Sequence, residues 1–220
     1  MNRWGKAGSK LGILLLLSVS CVVVAEERVG ITKDLQSIRV QHGKEWVEVL
    51  RNQDETHQID ENFAKTSRPC PPFCIQPMAV APGVESVGEL ELLQFMEQKL
   101  PAGAGVLVDA RTPDWHSKGT IPGSVNVPYT DLDVELGADQ FSIEFSLQQF
   151  GVLPRGEYWD FIQAKELLIW CNGPWCGQSP TAIRALLVLG YPADKIKYYR
   201  GGMQMWQLMG LPVVLPAKRS

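Results

Sequence analysis

The stretch Leu167-Leu168-Ile169-Trp170-Cys171-Asn172-Gly173-Pro174-Trp175-Cys176-Gly177-Gln178-Ser179-Pro180 restricts the folds open to this chain more than any other. It opens as a short apolar run, the pattern of a buried strand. It then breaks into a loop punctuated by glycine and proline. Ser179 followed by Pro180 predicts a helix start, with an N-cap and then proline in the first helical position. The Ala- and Leu-rich run Thr181–Leu189 continues that helix, and Gly190 ends it. Cys171 therefore stands at the carboxyl end of a strand, where a loop feeds a helix N-terminus. Free N–H groups and the helix dipole favour a thiolate there, and open α/β sheets bind ligands at that edge. The competing reading of Cys171 is a buried structural thiol, since free cysteines are among the most buried residues.

Other segments predict the sheet that such a strand needs. Val106–Asp109 reads as a buried strand ending on Asp109-Ala-Arg111, again at the carboxyl edge. Asp109 and Arg111 are expected to form an internal ion pair that ties loops together. Val125–Pro128 and Ile196–Tyr199 read as further strands. Ser86 with Glu89 predicts a capping box that opens a helix to about Leu100, with Leu90, Leu93, Phe95 and Met96 in the core. Leu132–Phe161 reads as mostly helical, broken at Gly137 and Pro154, with Phe141, Phe145, Phe150, Trp159 and Phe161 covering the sheet. Met203–Met209 closes the domain as a helix. Strands alternating with helices imply a mostly parallel sheet with helices on both faces.

Ahead of this part lie two further segments. Arg3, Lys6 and Lys10 precede an apolar run from Leu11 to Val24, and Val23-Val24-Ala25 suits signal peptidase. Residues 1–25 are thus expected to be a signal peptide, and the protein to be periplasmic or secreted. The alternative makes Cys21 a lipid-bearing cysteine. Cleavage after Ala25 would leave 18 basic against 24 acidic residues, a mildly acidic chain with no basic patch for nucleic acid. No later apolar run is long enough to span a bilayer, so no membrane span is expected in the mature chain. Residues 26–81 read as an N-terminal extension. In it, alternation over 37–41 and 46–50 predicts a β-hairpin. Residues 51–65 read as loop or short helix, and Cys70-Pro-Pro-Phe-Cys74 forms a proline-stiffened segment. Cys70 and Cys74 are a disulfide, a redox pair or ligands; an oxidising compartment permits the first. Three histidines and no His/Cys cluster at zinc spacing argue against a metal centre.

Taken together, strand, cysteine, glycine-containing loop, helix, LGY, IKYYRGGMQMW and GLPVV resemble a rhodanese domain. The stretch VLVDARTPDWHSKGTIPGSVNVPY matches the same family, with Asp-x-Arg followed by Gly-x-Ile-Pro-Gly. The resemblance covers about Gly83 to Pro216, so residues 82–216 are expected to form a rhodanese-like α/β domain. The chain departs from the family in two places. The loop from Cys171 to the helix looks longer than the usual six-residue cradle and carries a second cysteine, Cys176. Thr120 stands where the family often has histidine.

The resemblance implies a sulfurtransferase with no cofactor. Its partners would be a thiosulfate-like sulfur donor and a thiol or cyanide acceptor, with a redox partner protein as a further candidate. Cys171 would be the catalytic nucleophile and carry a persulfide. Asn172, Gly173, Pro174, Trp175, Gly177, Gln178 and Ser179 would form the substrate-binding loop. Its N–H groups would turn inward at an anion, with Gly173 and Gly177 supplying backbone freedom and Pro174 stiffness. Cys176 is a candidate resolving cysteine, and Asp109 and Arg111 support the site.

Other chemistries stay open. A phosphatase would want Cys-x5-Arg, but Gly177 holds that place and Arg184 lies well into the helix. A thiol–disulfide redox protein could use Cys171 and Cys176, although WCNGPWC spaces its cysteines more widely than the thioredoxin motif. A non-enzymatic sulfur carrier or binding module is the third reading.

Overall fold

The structure, a computed structural model, describes residues 1, 28–156 and 158–216. The apolar run of the expected leader, Cys21 and the cleavage site after Ala25 lie outside the described residues. Among the described residues no helix is long and apolar enough to cross a membrane.

The extension opens with the expected hairpin, β1 (Ser37–His42) paired antiparallel with β2 (Glu45–Leu50). A short helix α1 (Glu61–Ala64) follows, capped by the Asp60 carboxylate on the Asn62 N–H. The central sheet then takes β3 (Glu85–Ser86), β4 (Gly105–Asp109), β5 (Ser124–Asn126), β8 (Glu166–Trp170) and β9 (Ile196–Tyr199). Its order is β3-β9-β8-β4-β5, and every pairing is parallel. Crossover helices cover both faces, as a parallel sheet requires. On one face Val106, Val108, Leu167, Ile169 and Tyr198 pack against α4 (Gln140–Gln149) and α5 (Gln178–Val188). On the other, the alternate residues Leu107, Leu168, Trp170 and Tyr199 pack against α2 (Glu89–Gln98) and α6 (Gly202–Leu208).

Ile38, Val40, Val49 and Phe63 join that second core. The extension therefore builds no core of its own; it completes the layer over α2 and α6. Backbone bonds fasten it to the end of the chain, with Asn52 N–H donating to the Gly210 carbonyl at 2.7 Å.

Three helical expectations are corrected. Helix α2 begins at Glu89 with Gly88 as N-cap, and the Glu91 carboxylate accepts the Gly88 N–H at 3.0 Å. Ser86 belongs instead to β3, its hydroxyl bonded to the Met78 carbonyl. This start turns Leu90 outward and Leu92 inward. Residues 151–156 and 158–161 of that stretch are not helical; Pro154 removes a donor that a helix needs. They form an antiparallel ribbon, β6 (Leu153–Arg155) with β7 (Tyr158–Asp160); earlier in the chain come the short helix α3 (Pro113–His116) and single 3-10 turns. Phe150 is buried and Trp159 and Phe161 pack on the core, but Phe141 and Phe145 are 76% and 56% exposed, stacked on each other at 6.4 Å. Finally, α5 starts at Gln178 behind Gly177, so Ser179 lies inside its first turn and does not cap it.

Candidate functional site

Cys171 directly follows β8, with Asn172–Gly177 linking it to α5. Counted from Cys171, seven residues (171–177) stand between β8 and α5, still longer than the six-residue cradle, although the helix begins one residue before the predicted cap. Helix α6 pins the loop from the side. The N–H groups of Met203 and Gln204 donate to the carbonyls of Cys171 and Asn172, both at 2.9 Å. Gly202 makes this approach possible. It sits at φ +55°, and a Cβ there would land on the Cys171 carbonyl oxygen. Within the loop, Cys176 N–H donates to the Gly173 carbonyl at 2.9 Å.

Cys171 is 2% exposed; its thiol faces the Cys176 carbonyl at 3.3 Å and several donors. The Ser179 hydroxyl, freed from capping, donates to it at 3.0 Å. Burial pushes the thiol up from its ordinary 9.0. Hydrogen bonds from the Cys176 thiol, from the Ser179 hydroxyl and N–H, and from the Gly173 N–H outweigh burial and bring it down to about 7. A large share of Cys171 is thus thiolate at neutral pH. Cys176 behaves oppositely. Burial, and then the hydrogen bond to Cys171 and its charge, hold its thiol well above the ordinary value. Its sulfur lies between the Asn172 amide N–H at 3.9 Å and the Gln178 side-chain oxygen at 3.7 Å, a setting that suits a neutral thiol. The two thiols therefore differ in role although they share one loop.

Beneath the loop lies a buried ion pair. Asp109, the last residue of β4, accepts from the Arg111 guanidinium at 2.8 and 2.6 Å, the Thr120 hydroxyl at 2.9 Å and the His116 ring at 3.0 Å. Burial pushes its carboxyl up, but these bonds and the charge of Arg111 overcome that and hold it below the ordinary 3.8. Arg111 also donates to the Gly119 carbonyl at 2.6 Å, reaches the Asn172 side-chain oxygen at 3.4 Å and lies 4.6 Å over the Trp170 ring. The pair thus joins the β4 end, the 116–120 segment and the cysteine loop, and Arg111 also lines a small cavity with Asn62, Trp115 and Gln207. Thr120, in the place of the family's histidine, serves this network.

The remaining loop residues point elsewhere. Gly177 has φ −84° and ψ −4°, a conformation open to any residue, so it supplies no special freedom. Gly173 is needed for closeness, since a Cβ there would press on the Gln204 side chain at 3.0 Å and on Trp175. Trp175 is engaged by α6 and residues 68–73. Its indole N–H donates to Gln204 at 2.8 Å, Phe73 meets its ring edge-on at 5.6 Å, and the Arg68 guanidinium lies 3.7 Å above it.

Several contributors escaped the sequence reading. Gly202 and Gln204 had one visible signal, the Gly-Gly pair following a strand at the carboxyl edge. Residues 68–76 form a strap across the loop, closed by the Cys70–Cys74 disulfide with Cα atoms 4.6 Å apart. The Gln76 N–H donates to the Pro174 carbonyl at 2.8 Å, and Arg200 holds the Gln76 carbonyl at 2.9 Å. Among the described residues the buried Tyr198 hydroxyl has no hydrogen-bond partner, and it lies within the electrostatic reach of both cysteines. Among the described residues, no group of acidic, histidine or cysteine side chains is arranged to hold a metal ion.

A model of the rhodanese-like domain matches residues 90–209, more than half of the chain. An HTH-type transcriptional regulator of Mycobacterium tuberculosis is 27% identical over 129 residues, which is 59% of this chain and 44% of that protein. The chain thus spans less than half the length of this relative. Among solved structures, a human single-domain sulfurtransferase is 19% identical with a TM-score of 0.38, covering 57% of this chain and 96% of that one. A Rhodopseudomonas palustris protein of unknown function, described as a possible tyrosine phosphatase, is 21% identical with a TM-score of 0.40, covering 60% and 85%.

Proposed function

This chain belongs to the rhodanese-like domain family, and from that premise we propose that it is an exported sulfurtransferase that carries a persulfide on Cys171. The observation that carries the proposal is the buried Cys171 sulfur, brought down to about 7 by N–H and hydroxyl donors at the head of α5. The thiolate attacks the outer sulfur of a thiosulfate-like donor. The Cys171 Sγ–S bond forms, the S–S bond of thiosulfate breaks, and sulfite leaves with the bonding pair. The new outer sulfur keeps the negative charge beside the same donors. A thiol or cyanide then takes this sulfur and returns Cys171 as thiolate. Every step needs only anionic sulfur chemistry, which fits a site with hydrogen-bond donors and no catalytic base.

A phosphatase reading lacks support in the loop. Gly177 occupies the position that would need the phosphate-binding arginine, and Arg184 is exposed on α5. The Cys70–Cys74 bridge supports the export reading, since disulfides persist in oxidising compartments.

The test is turnover with thiosulfate and cyanide. Cys171→Ser is expected to lose all sulfur transfer while keeping the parent circular dichroism spectrum. Full activity in that variant would remove Cys171 from the mechanism. Uptake of one sulfur without turnover would make the protein a carrier instead of an enzyme. For export, N-terminal sequencing of the periplasmic protein is expected to begin at Glu26; a retained Met1, or a lipid on Cys21, would refute it.

A further inference from the structure

We propose that Cys176 is a catalytic residue: its sulfur attacks Sγ of the Cys171 persulfide, releasing hydrogen sulfide and closing a Cys171–Cys176 disulfide. The proposal rests on the sulfur-transfer reading above and assigns the fate of the bound sulfur, its release as sulfide.

Two features of the structure carry it. The first is proximity in a closed space. The Cys171 thiol lies 3.3 Å from the Cys176 carbonyl oxygen, the Cys176 thiol is hydrogen-bonded to the Cys171 sulfur, and Asn172 and Gln178 hold the Cys176 sulfur. Both cysteines are nearly inaccessible, at 2% and 4% exposure. The second is the strap. Gln76 is bonded to the Pro174 carbonyl, and Phe73 and Arg68 pack on Trp175, so the loop is covered from outside. An external thiol must displace this cover to reach the outer sulfur or Sγ, whereas Cys176 is already inside. A reaction between groups held in one loop also avoids the entropy cost of bringing two molecules together.

The contrast between the thiols orders the steps. Cys171, the more acidic, takes sulfur from the donor, while Cys176 stays protonated and does not compete for it. Once the persulfide forms, its negative charge sits one sulfur further from the Cys171 backbone, and the charge holding the Cys176 proton in place moves away. The Cys176 sulfur then forms a bond to Sγ of Cys171, and the Sγ–S bond breaks. The departing sulfur takes the bonding pair and the Cys176 proton. The persulfide anion on Cys171 and the thiol of Cys176 thus become one disulfide and one hydrosulfide ion, which solvent protonates to hydrogen sulfide; the outer sulfur is reduced and Cys176 is oxidised. An external dithiol of the thioredoxin class resets the pair by exchange. The site is then a dithiol centre that converts sulfane sulfur to sulfide at the expense of that reductant.

The experiment loads the full-length mature protein, with Cys171 and Cys176 reduced, with one equivalent of thiosulfate. Intact mass, released sulfide and non-reducing peptide maps are followed for the parent, Cys176→Ser and Cys176→Ala. The parent is expected to release sulfide and yield a peptide joining Cys171 to Cys176. The variants are expected to keep the mass of one extra sulfur at least roughly tenfold longer, as removal of a positioned intramolecular nucleophile predicts. Equal persulfide lifetimes with no bridge would overturn the proposal and leave the sulfur-transfer reading intact. No sulfur uptake in the parent or the variants would overturn both. Should a variant misfold, the bridge and the sulfide release of the parent alone decide.

Discussion

The Ser179 hydroxyl lies 3.0 Å from the Cys171 sulfur, and after the Cys176 thiol it is a further contact that favours the thiolate. A hydrogen bond to a charged group is worth about 1.5–3 kcal/mol. Ser179→Ala is therefore expected to move the Cys171 thiol from about 7 back toward its ordinary 9.0. The sign follows from the direction of the shift. A lowered thiol is mostly thiolate above about pH 7, so alkylation by iodoacetamide rises through that pH in the parent and only at higher pH in the variant. At neutral pH the alkylation rate of Ser179→Ala is expected to fall about tenfold or more, given the size of that bond. Identical pH profiles would mean that the hydroxyl does not stabilise the thiolate.

At the scale of elements, the site is a junction of β8, α5 and α6, with the strap laid over it. Helix α6 sets the loop by donating two N–H groups to it, and Gly202 is the residue that lets the helix come so near. Gly202→Ala places a methyl group against the Cys171 carbonyl and the Gly173 nitrogen and adds left-handed backbone strain. The expected outcome is a loss of about 1–3 kcal/mol in denaturant unfolding, together with a Cys171 that alkylates more slowly at neutral pH because its donors are displaced. Parent-like stability and reactivity would show that the loop has room that the structure does not suggest.

Across the whole molecule, the Asp109–Arg111 pair joins the sheet edge to the cysteine loop from inside the fold. Asp109→Asn leaves the Arg111 charge buried without its carboxylate, and breaking a buried pair in this way costs about 3–5 kcal/mol. The carboxyl is held below its ordinary 3.8 in the folded protein. Its contribution is thus fully present well above that pH, and it fades as the pH falls through the folded value. The difference in melting temperature between parent and Asp109→Asn is expected to be largest near neutral pH and to shrink in acid. A difference that does not change with pH would show that the carboxylate charge is not what stabilises the network.

The sequence by itself determined what depends on local pattern. The apolar runs at 106–109 and 167–170 could be buried only as strands of a parallel sheet, and the glycine- and proline-broken loop after Trp170 fixed Cys171 at its carboxyl edge. Alternation over 37–41 and 46–50 fixed the hairpin. Asp109 and Arg111, two residues apart at a strand end, were close enough to pair in any such sheet. Tertiary structure decided what depends on which surfaces meet. Ser179 carries the same local signal whether its hydroxyl caps a helix or faces a sulfur, and only the packing of α5 behind Cys171 selects the second. Phe141 and Phe145 resemble core residues in composition, yet the start of α4 leaves them in solvent. The strap is the clearest case. Cys70-Pro-Pro-Phe-Cys74 stands about a hundred residues before the loop it covers, and no periodicity links segments so far apart. Their contact arises because the extension must bury Ile38, Val40, Val49 and Phe63 on the α2–α6 face, and the chain leaving that face crosses the cysteine loop on its way to β3.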